Sequence, residues 1–254
     1  WMDKYVKCYK SRIMSYIQYR NVVEERIYKL FSPLQFEEQR HIYTLNGIKL
    51  PSVSKLVEQH AYPFDEAKFL PLCAKRENLT EHELKHKWQT INKRACDLGS
   101  DTHSFMENYR GYQVPTTLQE EAGVKYIKSL EGEYIVSFRE LRAFSKEFMY
   151  AGTMDLPLEV VRNGNYIIDD YKTNKDLFKA FDYLKPPFNY LEASPFNKYQ
   201  LQLSYYQIML EEVGLTIENR RIVYLMADGE YKIYDLYDYT GELKEYMRNR
   251  HKFN

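Results

Sequence analysis

Apolar positions in this chain recur with two periods, and each period marks a class of element. Over the first 31 residues they fall three and four apart, at Tyr5, Cys8, Ile13, Tyr16, Ile17, Val22, Val23, Ile27, Leu30 and Phe31. That spacing predicts a helix over residues 3 to 31, with arginines and lysines on its solvated face. From His41 the pattern changes. HIYTLNGIKLPSVSKLV reads as a strand, a turn at Asn46-Gly47, a second strand, and a helix starting near Ser52 or Ser54. A serine there caps the helix by accepting from free backbone N–H groups, and such an end favours anions such as phosphate. Residues 65 to 78 and the run from Thr80 to Arg110 return to helical spacing, the second with an interruption at Gly99. A helix over 115 to 132 and strand-like residues 133 to 150 follow.

The strongest local signal lies between Ala151 and Lys175, AGTMDLPLEVVRNGNYIIDDYKTNK. Two apolar runs flank Asn163-Gly164, the preferred centre of a two-residue type I′ hairpin. With that turn, Arg162 pairs with Asn165 and Asp155 with Lys172. Asp170 lies two residues from Lys172 and shares its face, whereas Asp169 points to the other side. Two carboxylates and one lysine therefore converge. Carboxylate oxygens are hard ligands suited to a divalent cation such as magnesium.

Beyond the hairpin, residues 176 to 196 form a long aromatic- and proline-containing connection with no clear period. Residues 197 to 213 are predicted as a helix, capped by Asn197 and stopped by Gly214, and residues 220 to 226 and 231 to 237 as strands around Asp228-Gly229. A short basic helix closes the chain. The prediction is an α/β fold with a helical N-terminal region. Residues 1–40 are read as a helical extension and 41–254 as the main domain.

Composition narrows the function classes. With 44% apolar residues among 254, the chain can build a sizeable core. No apolar run has the length of a membrane span, and the mixed, charged start lacks a signal-peptide pattern. Cys8, Cys73 and Cys96 are scattered, as expected for reduced thiols of a cytoplasmic protein. Lys plus Arg equals Asp plus Glu, 36 each, so net charge does not advertise a nucleic-acid partner. The 25 tyrosines read mainly as core-edge residues.

Other residues change the picture when taken in order. His103 and Glu107 stand four apart on one helical face, and Glu147 precedes the hairpin. Pro51-Ser52-Val53, then Gly99, His103 and Glu107, then Ala151-Gly152-Thr153 with Asp155, then Asp170-Tyr171-Lys172-Thr173, then Gln202-Leu203 with Tyr206, follow one another between residues 41 and 237. This order resembles the RecB-type nucleases of the PD-(D/E)XK superfamily. Within them it looks most like the phage-type exonucleases and the mitochondrial genome maintenance exonuclease.

The resemblance implies a restriction-endonuclease-like core, with a mixed central β-sheet flanked by helices, and Mg2+-dependent hydrolysis of DNA, with Mn2+ able to substitute. It implies that His103, Asp155, Asp170 and the Tyr171 backbone carbonyl hold the metal. Lys172 would position or activate the attacking water, with Glu107 or Glu147 assisting at a second ion or an ordered water. Gln202, Tyr206, Ser52, Ser54 and Thr173 would contact DNA, and the 176 to 196 connection would guide a single strand. Relatives with an iron–sulfur cluster use four cysteines. Three ungrouped cysteines predict none here. No helicase motif is present, so a motor or recombination partner would be a separate protein. The leading expectation is an exonuclease at single-stranded DNA ends in the cytoplasm of a bacterial or phage-infected cell. A structure-specific or restriction-type endonuclease and a non-cleaving DNA-binding module are the alternatives.

Overall fold

The computed structural model describes residues 20–249. Residues 20–31 are helical (α1), and the remainder of the predicted N-terminal helix lies outside the described residues. A three-stranded antiparallel sheet follows, with β1 Leu34–Glu37, β2 Ile42–Leu45 and β3 Ile48–Leu50. The first 40 residues are therefore not purely helical. Leu34 and Phe36 of β1 pack with Tyr43 and Leu45, which the local helical spacing upstream gave no reason to expect.

Three helices come next. They are α2 Val53–Gln59, capped by the Ser52 side chain, α3 Glu66–Glu77, and α4 Glu81–Asn108. A capping box between Thr80 and Glu83 starts α4. This helix runs unbroken through Gly99, where a side chain would meet Thr173 Oγ1 at 3.6 Å, an ordinary contact. One glycine costs a long, packed helix only about 1 kcal/mol, too little to interrupt it. Helix α5, Leu118–Ser129, has its own capping box from Thr117 and Glu120.

The central sheet is mixed and five-stranded. Its order is β10 (Tyr231–Asp235), β9 (Ile217–Leu225), β8 (Tyr166–Lys172), β7 (Leu156–Val160) and β4 (Tyr134–Val136). Only β8 and β9 run parallel. The chain between them crosses over through the irregular residues 173–194 and α6, Pro195–Glu212. The cap of α6 is Ser194 rather than the predicted Asn197. Pro195 fits the first turn, where its missing N–H is not needed, and the Asn197 N–H donates to Ser194 Oγ.

Helices cover both faces of this sheet. Met106 of α4 and Ala122, Tyr126 and Leu130 of the α5 segment pack on Leu156, Leu158, Ile167, Tyr171 and Val223. On the other face, Leu201, Tyr205, Ile208 and Met209 of α6 pack on Tyr166, Ile168 and Ile222. Ile27 and Phe31 of α1 join that core, as do Val53 and Leu56 of α2 and two residues of α7 (Thr240–Asn249), Leu243 and Met247. Strand β8 (YIIDDYK) is thus buried on both sides, with Tyr166 and Ile168 in one core, Ile167 and Tyr171 in the other, and its charged residues enclosed between them. Among the described residues no helix is long and apolar enough to cross a membrane.

The predicted hairpin forms, but with a wider turn. Val160, not Arg162, faces Asn165, and the ladder runs from Glu159↔Tyr166 to Leu156↔Asp169. The Glu218 side chain gathers Arg162, Asn163 and Asn165, and Asn163 Oδ1 accepts from the Asn165 N–H. These bonds satisfy a four-residue connection in place of the two-residue turn. A register change of two residues keeps every side chain on its predicted face.

His60, at the end of α2, is buried against Phe188, Tyr205 and Tyr246, and its Nε2 lies 3.1 Å from Tyr205 Oη. Burial, with a smaller push from Lys185, lowers its pKa from 6.5 to about 4. The unfolded chain therefore binds a proton that the folded chain refuses between those values. Stability is fully present above the unfolded pKa and falls as the pH drops through the window, by about 3 kcal/mol between pH 7 and pH 4. Urea unfolding of the wild type and of His60→Gln across this range checks it. The variant is expected to show the shallower dependence on pH, and equal slopes would refute the assignment.

Candidate metal centre

The site is built where two hairpins join. Strands β4 and β7 pair up to Val136↔Leu158, and the next pair lies between β5 (Leu141–Ser145) and β6 (Tyr150–Met154), at Leu141↔Met154. Residues 137–140 on one side face 155–157 on the other, one residue more, which is a β-bulge. The N–H groups of Ser137 and Phe138 both donate to the Pro157 carbonyl, and Glu140 follows in a left-handed conformation, with φ 48°. Such a backbone costs a non-glycine residue about 1–2 kcal/mol. The Glu140 N–H donates to the Asp155 carbonyl at 3.0 Å, which fixes the two acids side by side. Asp155 itself sits at the break between β6 and β7.

The wider hairpin turn puts Asp155 beside Asp170 rather than opposite Lys172. Asp155 Oδ2 accepts the Tyr171 N–H at 2.8 Å. The carbonyl of the same residue lies 3.1 Å from His103 Nε2, and His103 Nδ1 faces Asp155 Oδ2 at 3.3 Å and Glu140 Oε1 at 3.8 Å. Ligand atoms of His103, Glu140 and Asp155 all lie within 4.8 Å of one another. Lys172 pairs with Asp170, and its Nζ sits 4.5 Å over the Tyr199 ring. Hard carboxylates, an imidazole and a main-chain carbonyl in one buried cluster form a donor set that suits a divalent cation.

The charges oppose one another strongly. Burial and repulsion from Asp155 push Asp170 up to about 6, against the pull of Lys172. Burial also raises Glu140. Burial works against the Asp155 carboxylate, yet His103, Lys172 and the Tyr171 N–H hold it below its ordinary value. Burial disfavours a charged His103, but Asp155 and Glu140 outweigh it and push its pKa up to about 10. Lys172 is raised as well, because Asp170 and Asp155 overcome its desolvation. Three acids face one imidazolium and one ammonium, so the fully ionised cluster is negative overall and responds to any added positive charge.

These residues open into a cavity of about 200 Å³, lined also by His41, Tyr43, Ser52, Ser54, Thr153, Gln202 and Tyr206. Tyr43 Oη and Thr153 Oγ1 share a hydrogen bond of 2.8 Å, and Gln202 Nε2 donates to Tyr206 Oη at 3.1 Å. Gly152 lets helix and strand meet here. A Cβ on it would stand 2.7 Å from Tyr206 Cε1 and 3.1 Å from Val53 Cγ2.

Asp169 belongs to a different network. It is fully buried on the α5 side, where Arg221 Nε and Nη2 each donate to it at 2.8 Å and Tyr126 Oη adds a third bond. Tyr134 stacks under the Arg221 guanidinium.

His103, Asp155, Asp170, the Tyr171 carbonyl and Lys172 are thus brought together, and Ser52, Ser54, Gln202 and Tyr206 line the same cavity. Three expected residues do not line this cavity. Glu107 is exposed on α4, yet near enough that its charge helps raise Glu140. Glu147 pairs with Arg248 of α7 at 2.8 Å. Thr173 packs toward Gly99. Glu140 was missed. No clean alternation marks it, since Ile135 and Phe144 break the apolar parity on either side, and the extra residue shows only in the strand pairing.

No protein-family model matches the chain, and no curated protein sequence does.

The close approach at Gly152 is testable. Gly152→Ala forces Tyr206 or Val53 to move and is expected to cost about 1–3 kcal/mol. Thermal melting should show a lowered Tm, with Gly241→Ala, in open space, as the control. An unchanged Tm for Gly152→Ala would mean that the α2, α6 and β6 contact is loose.

Proposed function

We propose that the chain is a metal-dependent deoxyribonuclease of the RecB type, with the restriction-endonuclease-like core of the PD-(D/E)XK superfamily, acting from single-stranded DNA ends. The observation that carries this reading is the buried set of Asp155, Asp170 and Lys172 beside His103 and Glu140, on the floor of a polar cavity. Charges of this kind are costly to bury and cluster where chemistry needs them. A cavity of about 200 Å³ has room for one phosphodiester over these acids.

His103, Asp155, Asp170 and the Tyr171 carbonyl would hold Mg2+, with Glu140 in place of the expected Glu107, and the same donors accept Mn2+. Bound there, such an ion polarises a phosphoryl oxygen and lowers the pKa of a water. Lys172, anchored between Asp170 and the Tyr199 ring, donates hydrogen bonds that orient the attacking water. Asp170 stands next to it as the acceptor for the proton of that water. Gln202, Tyr206 and the hydroxyls of Ser52 and Ser54 hold the DNA backbone over the acids. The exposed Phe178, Phe181, Tyr183 and Tyr190 of the 173–194 connection offer faces on which unpaired bases stack.

Incubation of 5′- and 3′-labelled single strands with Mg2+ tests the activity, and a circular single strand separates the two modes of cleavage, since an exonuclease leaves it intact. Lys172→Ala and Asp170→Ala are expected to lose at least about 10³-fold in rate while retaining a folded circular-dichroism spectrum. Wild-type rates in either variant would overturn the assignment. Inactivity of the wild type with both Mg2+ and Mn2+ would favour the non-cleaving DNA-binding module.

A further inference from the structure

The wall of the cavity opposite α6 is not used by the residues above. Strands β1 and β2 bring Phe36 and Tyr43 into a stack with ring centres 4.5 Å apart, and the His41 ring meets both edge-on at 5.2 and 5.5 Å. His41 reaches this position through a left-handed backbone, with φ 50° and its N–H bonded to the Glu38 carbonyl. Over the Phe36 ring lies the guanidinium of Arg142, 5.0 Å from the ring centre.

Arg142 is exposed, and its cross-strand partner is Thr153, a cavity-lining residue. Directly paired positions put side chains on the same face, about 5 Å apart at their Cβ atoms. Arg142 therefore stands at the rim of the cavity, one strand away from its floor. Among the described residues it enters no ion pair. Glu140, two residues away, faces His103, and Glu37 pairs with Arg40. A guanidinium held over an aromatic ring and free of ion pairs is available for a two-pronged bond to phosphate or carboxylate. The floor beside it is acidic, and the rest of the wall carries hydroxyls and an imidazole. An anion that spans such a site needs its charge met at the rim.

We propose that Arg142, supported by Phe36 and flanked by His41 and Thr153, is a phosphate seat. It takes the phosphodiester adjacent to the one held over Asp155 and Asp170. The seat rests on the phosphodiester substrate proposed above, and it supplies what the acidic floor lacks, a fixed cation that sets the register of the strand. The side chains of β1 and β2 serve as its support, so the N-terminal sheet becomes part of substrate binding.

The test is binding of a fluorescein-labelled oligothymidylate, read by anisotropy over a range of salt, with Ca2+ replacing Mg2+. Arg142→Gln is expected to weaken binding about tenfold and to reduce the salt slope by about 0.7, the contribution of one single-strand phosphate contact. Arg142→Lys should restore the slope but not the full affinity, since an ammonium neither stacks nor binds in two prongs. Lys232→Gln, on edge strand β10, should match the wild type in both. Equal Tm values establish that Arg142→Gln is folded. If the wild type binds and Arg142→Gln matches it in affinity and slope, the seat is wrong and the nuclease reading stands. A wild type that neither binds nor cleaves overturns both.

Discussion

Two adjacent acids on a strand buried on both faces impose a constraint that the rest of the structure has to meet. Asp169 and Asp170 leave β8 on opposite sides, and neither reaches bulk water. Removing one partner from such a charge costs about 3–5 kcal/mol, so each side must carry its own compensation. On the α5 side this is a closed network of Arg221, Tyr126 and Tyr134, in which the carboxylate receives three donors. On the α6 side the compensation is partial, with Lys172 and His103 shared among three acids. The closed network gives β8 a fixed position from behind, and the open one leaves reactive charge facing the cavity.

The other elements of the site follow from that strand. Tyr171 uses its N–H for Asp155 and its carbonyl for His103, so one peptide unit couples the break in β6 and β7 to α4. The bulge at Ser137 and Phe138, followed by the left-handed Glu140, brings a further acid to the same point at the expense of a strained backbone. Strain of this kind survives only where neighbours over-determine it. Here the Asp155 carbonyl and the two flanking ladders do so. Gly152 then allows Tyr206 and Val53 to close over the strand, which turns a surface cluster into a cavity with defined walls.

Side-chain parity made much of this legible in the linear chain. It placed Asp155, Asp170 and Lys172 on one face and Asp169 on the other, and it did so despite a wrong turn, because an error of two residues leaves parity unchanged. Helical spacing and capping residues located α3, α4 and α5, and the order of short motifs pointed to His103, Gln202 and Tyr206. Local periodicity failed where an element is defined by partners distant in sequence. β1 exists through pairing with β2, and the wide turn at residues 161–164 depends on Glu218.

The sequence by itself determined which side chains share a face, because alternation along a strand and the pitch of a helix are local properties of the backbone. Only the tertiary structure decided which acids meet. Glu140 joined His103 and Asp155 because a bulge advanced one strand by a residue, while Glu107 stands exposed on α4. Glu147 was removed from contention by Arg248 of a helix a hundred residues later. The rim position of Arg142 is likewise a product of three segments, β1, β2 and β5, whose meeting no local pattern encodes.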